Sequence, residues 1–105
     1  MTTTAERLIR IHEQIDAAAA AVEADAGASP VLRAVVQELA RKAQKALTGL
    51  PGADAAVLRV SIVEVEQAAD SAKVAAEADT GASDSARQAV IEAHLAICIL
   101  KATTA

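Results

Sequence analysis

The chain has 105 residues and a formal charge of −4 at pH 7; 53% of it is apolar, none of it is Phe, Trp or Tyr, and alanine alone fills 29 positions. This is one domain's worth of chain, too apolar for a disordered segment and too rich in alanine for a β-sandwich. The missing aromatic rings exclude stacking platforms for single-stranded bases and cages for cationic ligands.

In chain order, Met1 to Arg7 lacks an apolar stretch behind a basic segment, so no secretory signal is expected. No apolar run approaches the ~20 residues of a membrane span, and the expected location is the cytoplasm. The first element carries Leu8, Ile11, Ile15, Ala18 and Val22 at alternating spacings of three and four, and ends at Gly27-Ala28-Ser29-Pro30. The second carries Leu32, Val36, Leu39, Ala43, Ala46 and Leu50, and ends at Gly49-Leu50-Pro51-Gly52. Its basic group, Arg41, Lys42 and Lys45, reads as a solvated helix face, and no nucleic-acid partner is expected. The third runs through Leu58, Ile62, Val65, Ala69, Ala72 and Ala76 to Gly81-Ala82-Ser83-Asp84. Its start, Val57 to Val65, has strand-like composition, but no turn signal interrupts it before Ala78, which predicts helix. The fourth carries Ala86, Val90, Ala93, Ile97 and Leu100. Each spacing places one apolar stripe on a helix. Glycine just past a helix end, with Ser or Pro at the next start, supplies the stop and start signals.

A shift of 54 residues lays Glu23-Ala24-Asp25-Ala26-Gly27-Ala28-Ser29 over Glu77-Ala78-Asp79-Thr80-Gly81-Ala82-Ser83, with six of seven positions identical. Arg33, Val36 and Glu38 match Arg87, Val90 and Glu92, and Leu8, Ile11 and Ala18 correspond to Ile62, Val65 and Ala72. The expected fold is all-α: an up-down-up-down four-helix bundle, one domain over 1–105, built from two similar hairpins at about 4–49 and 53–102. Small residues collect near the repeated connections and Leu and Ile at the other end, which predicts a bundle that tapers toward the connections. Any internal pocket is expected at the wide end, although side chains filling that space are the preferred reading.

Ile91, Leu95, Cys98 and Ile99 form a second stripe on the fourth helix, and Val57, Val60, Val63 and Val74 lie off the stripe of the third. A helix apolar on two faces is usually covered on both. The expectation is a homodimer whose interface includes Ile91, Leu95, Cys98, Ile99, Val60 and Val63.

Among polar candidates, Glu23, Asp25, Glu77 and Asp79 crowd the C-terminal ends of helices, where the macrodipole disfavours negative charge. A bound cation is one reading. The preferred one has Asp25 and Asp79 reaching forward over the glycine to the N–H groups of the next helix, with Ser29 and Ser83 as N-caps. His12, His94 and Glu66 fall at 13 to 15 residues from the nearest repeated glycine and could share one layer as transition-metal ligands, but no Glu-x-x-His pair supports this. An exposed His94 could relay phosphate. Cys98, the only cysteine, sits in an apolar run and reads as a small hydrophobe. No nucleophilic triad or phosphate loop is present, and no cofactor is expected. The function expected is a non-enzymatic interaction or scaffold module; the competing readings are a ligand- or metal-binding bundle and a phosphotransfer domain.

Overall fold

Four helices form where the sequence supplies a cap followed by an apolar stripe. The computed structural model describes residues 2–104, so Met1 and Ala105, the outermost positions of the expected domain, lie outside the described residues. Helix α1 is Thr4–Ala24, α2 Pro30–Thr48, α3 Ala55–Ala78 and α4 Asp84–Thr103. Each begins at an oxygen that accepts an otherwise unpaired backbone N–H. Thr3 takes that of Glu6, Ser29 that of Leu32, Asp54 that of Val57 and Ser83 that of Ala86, at 2.8–3.2 Å. Pro30 then occupies the first turn of α2, where its missing N–H costs nothing. Val57 to Val65 is helical, and no strand occurs among the described residues.

The helices pack α1 on α2, α2 on α3, α3 on α4 and α4 back on α1. The molecule measures 41 × 21 × 20 Å. The 24 residues of α3 rise about 36 Å at ~1.5 Å each, so this helix spans most of the long axis. Among the described residues, none of the helices is long and apolar enough to cross a membrane.

The stripes form the core. Twenty-two apolar residues are buried among those described, and they fall into eleven pairs 54 residues apart, from Leu8 with Ile62 to Ala46 with Leu100. Side-chain size is not kept within pairs. Ile15, Leu32 and Leu39 stand against Ala69, Ala86 and Ala93, while Ala43 and Ala46 stand against Ile97 and Leu100. Large and small residues thus trade places, which keeps the volume of a common interior balanced. Leu50 and Leu58, expected on the stripes, are only half-buried beside the core. The size gradient is also less regular than expected, because Leu32 is fully buried three residues after Ser29.

The glycines at 27 and 81 have a different role from the one expected. Neither adopts the left-handed conformation of a helix-terminating glycine; among the described residues only Gly52 has a positive φ, at 78°. Instead α1 and α3 end on Asp25 and Asp79 in extended conformation. Gly27 and Gly81 lie against each other: a Cβ on Gly81 would sit 2.5 Å from the Gly27 carbonyl oxygen, and one on Gly27 would overlap the Gly81 carbonyl. The two connections meet backbone to backbone, and only glycine allows it.

This contact predicts that Gly27→Ala and Gly81→Ala each lower the unfolding free energy by about 2–3 kcal/mol, at the upper part of the overpacking range. Gly49→Ala is the control. Its nearest neighbours lie at 3.6 and 3.8 Å and its φ is −81°, so it should be neutral or stabilise by up to about 1 kcal/mol. Urea unfolding of the three variants checks this; a Gly27→Ala protein as stable as the parent would contradict the close approach.

Candidate functional site

The repeated acids occupy the meeting point of the two connections. Asp25 accepts the Gly27 N–H at 3.0 Å through Oδ1, and its Oδ2 crosses to the Ser83 N–H at 2.6 Å. Asp79 mirrors it: Oδ1 accepts the N–H groups of Gly81 and Ala82 at 2.9 and 3.2 Å, and Oδ2 crosses to the Ser29 N–H at 2.8 Å. The expected reach over the glycine to the next helix is corrected: within its own connection each carboxylate holds only loop N–H groups, and the helix-opening serine it reaches belongs to the other connection. Ser29 and Ser83 are the N-caps, as expected.

The helix ends that these acids would disfavour are neutralised from the following helix. Arg33 donates to the carbonyl oxygens of Glu23 and Ala28 at 3.0 and 3.3 Å and to that of Asp25. Arg87 donates to those of Ala76 and Glu77 at 2.9 and 3.5 Å. Neither α1 nor α3 has a basic residue in its own last turn, and the borrowed guanidinium supplies the missing positive charge. With all four oxygens of Asp25 and Asp79 holding N–H groups, this cluster is a structural clasp. Glu23 faces Arg33 at 3.6 Å, and Glu77 is exposed.

The histidines do not form the shared layer that their spacing allowed. His12 turns toward α2, with Nε2 3.0 Å from Gln44 Oε1 and 3.5 Å from Asp16. Glu66 pairs with Lys101 at 3.0 Å. His94 meets two other residues. Its Nε2 donates to Asp70 Oδ1 at 2.6 Å, and Cys98 Sγ lies 3.4 Å from the same nitrogen and 4.0 Å from Nδ1. His94 and Cys98 are one helical turn apart on α4, and Asp70 comes from α3. The ligand atoms of the three residues lie within 4.8 Å of one another, the one such mixed group among the described residues. The spacing of 94 and 98 is visible in the sequence. The count from Gly81 that selects Glu66 also passes Asp70, 11 residues before it, and only the packing of α3 on α4 tells them apart.

The cluster is not arranged as a nucleophilic site. Burial pushes the Cys98 thiol up, and the negative charges of Glu66 and Asp70 push it further, the opposite of what an activated thiolate requires. Asp70 and Cys98 also share one ring nitrogen, whereas a relay uses the two nitrogens separately. The His94 side chain is only 16% exposed, and Asp70 engages its Nε2.

The second stripe of α4 is present as an outward face: Leu95 is 57% and Ile99 49% exposed, with Ile91 and Cys98 half-buried beside them. On α3, Val60 is 59% exposed and Val63 half-buried. Exposed apolar residues that the sequence reading did not single out, Ile9 and Val31, lie on α1 and α2. At the seam of α3 and α4, Arg59, Ile62, Val63, Lys101 and Thr104 line an open hollow, while Leu8 and Leu100 fill the interior.

Backbone N–H groups hold both clasp carboxyls below the ordinary aspartate value of 3.8, Ser83 first for Asp25 and Ser29 first for Asp79. A carboxyl depressed in the folded chain binds its proton more readily when unfolded. Its contribution to stability is complete above the unfolded pKa and is lost as pH falls through the folded one. Unfolding free energy should therefore decline below about pH 4, and less steeply in Asp25→Asn/Asp79→Asn than in the parent. Urea titrations at stepped pH read this directly, and parallel acid profiles would contradict it.

Compared with known protein families, curated proteins and solved structures, the chain matches none.

Proposed function

We propose that the chain is a non-enzymatic helical interaction module that pairs with a second copy of itself through the outer faces of α4 and α3. Its architecture in this reading is one up-down-up-down bundle of two similar hairpins. Connections of five or six residues between long helices favour reversal of direction at each one. The closed ring of helix contacts, the eleven buried pairs at a spacing of 54 and the mirrored bonds of Asp25 and Asp79 support a duplicated hairpin. The single free cysteine suits a reducing compartment such as the cytoplasm.

The observation that carries the reading is the exposed line of Leu95 and Ile99 on α4. These side chains point away from a core that is already complete, so the chain's own fold gives no reason for them to be apolar. Val60, exposed, and Val63, half-buried, are further apolar residues on α3. A second copy is the simplest occupant, because a two-fold pairing lays the same apolar line against itself.

Sedimentation equilibrium at micromolar concentrations should show a dimer. Leu95→Glu/Ile99→Glu should shift it to monomer, because two carboxylates placed in an apolar interface are costly to desolvate. Both residues lie off the core, so helicity should be unchanged. A parent chain that stays monomeric across that range would overturn the reading.

A further inference from the structure

We propose that Asp70, His94 and Cys98 form a binding site for one divalent transition ion of the zinc class. The inference rests on the cluster within a single chain; Cys98 also borders the face proposed above for self-association, so the two proposals share that one residue. Three different ligand atoms converge on one point from two packed helices. His94 Nε2 is 2.6 Å from Asp70 Oδ1 and 3.4 Å from Cys98 Sγ. Around a tetrahedral zinc ion, bond lengths of about 2.0–2.3 Å separate nitrogen from oxygen by about 3.3 Å and nitrogen from sulfur by about 3.6 Å. The sulfur is already near that distance. The carboxylate must swing outward by less than about 1 Å, which an aspartate 55% exposed can do.

Ligand chemistry selects the ion. Imidazole and thiolate together disfavour calcium and magnesium, which take oxygen sets, and suit zinc or cobalt. Three protein ligands leave a fourth position for water. On binding, the Cys98 S–H bond breaks and its proton passes to solvent, and His94 gives up the Nε2 proton that Asp70 accepts and carries one on Nδ1 instead, so that sulfur–metal, nitrogen–metal and oxygen–metal bonds can form. The spacing of 94 and 98 matters, since residues four apart on a helix present their side chains on one face.

The experiment is a titration of reduced protein with Co²⁺ alone, followed by optical absorption. The expected result is a one-to-one complex with a thiolate-to-cobalt charge-transfer band, bleached when Zn²⁺ is added. Cys98→Ser should remove the band. His94→Ala and Asp70→Ala should each weaken cobalt binding at least about tenfold, because even outer-shell partners of a metal typically contribute 10–100-fold. Asp70 lies at the surface, so its variant keeps the test open should a change on α4 perturb folding; far-UV circular dichroism monitors this. No charge-transfer band at saturating cobalt, or a band that survives Cys98→Ser, would overturn the proposal, as would unchanged affinity in both His94→Ala and Asp70→Ala. The titration is read on samples whose oligomeric state is measured by sedimentation, and a monomeric protein that binds cobalt one-to-one separates this inference from the dimer.

Discussion

The structure depends on an exchange of hydrogen bonds between two connections far apart in the chain. Asp25 receives the Ser83 N–H and Asp79 the Ser29 N–H. Each of those serines opens a helix, so each aspartate places negative charge at a helix N-terminus, where the macrodipole favours it. The exchange requires the backbones to touch, and the touch requires Gly27 and Gly81. Arg33 and Arg87 complete the arrangement on the carbonyl side. One local pattern thus settles three problems at once: unpaired N–H groups, unpaired C=O groups and the charge at four helix ends. Among the described residues no buried side-chain polar atom lacks a partner.

Below the clasp, packing proceeds by size rather than by chemistry. An interior without aromatic rings must be filled by many small pieces, and alanine lets helices approach closely. The alternation of large and small residues between buried positions 54 apart, as in Leu39 and Ala93 against Ala43 and Ile97, keeps the total volume steady. Such a core consists of hydrocarbon alone, so the chemically versatile groups are found at its margin. His94, Cys98 and Asp70 sit there, half in and half out, on the seam of two helices. The apolar line of Leu95 and Ile99 runs along the same helix, and α4 therefore carries both proposals.

Much of this was legible in the residues. The spacings of three and four identified nearly every buried position, because a stripe is a property of one helix and needs no knowledge of its neighbours. Ser29 and Ser83 were recognisable as caps for the same reason. The failures share a physical cause: each concerns a relation between elements. Gly27 looked like a helix terminator, yet its conformation is ordinary and its value lies in what touches it. Asp25 and Asp79 were placed at the right junctions, but the crossing of one oxygen to the other connection cannot be read from either junction alone. The count along the chain put Glu66 beside His94 and left Asp70 unnamed, because such a count fixes height and not facing. Leu50 and Leu58 flank the 49–54 connection, where the stripe continues in sequence and the chain has already left the core.

Amide hydrogen exchange at Ser29 and Ser83 tests the clasp most directly. In the parent protein both amides should be protected. Asp79→Ala should deprotect Ser29, 50 residues away in sequence, and leave Ser83 slow; Asp25→Ala should do the reverse. If each substitution instead exposed only the serine of its own connection, the crossed exchange on which this account rests would be wrong.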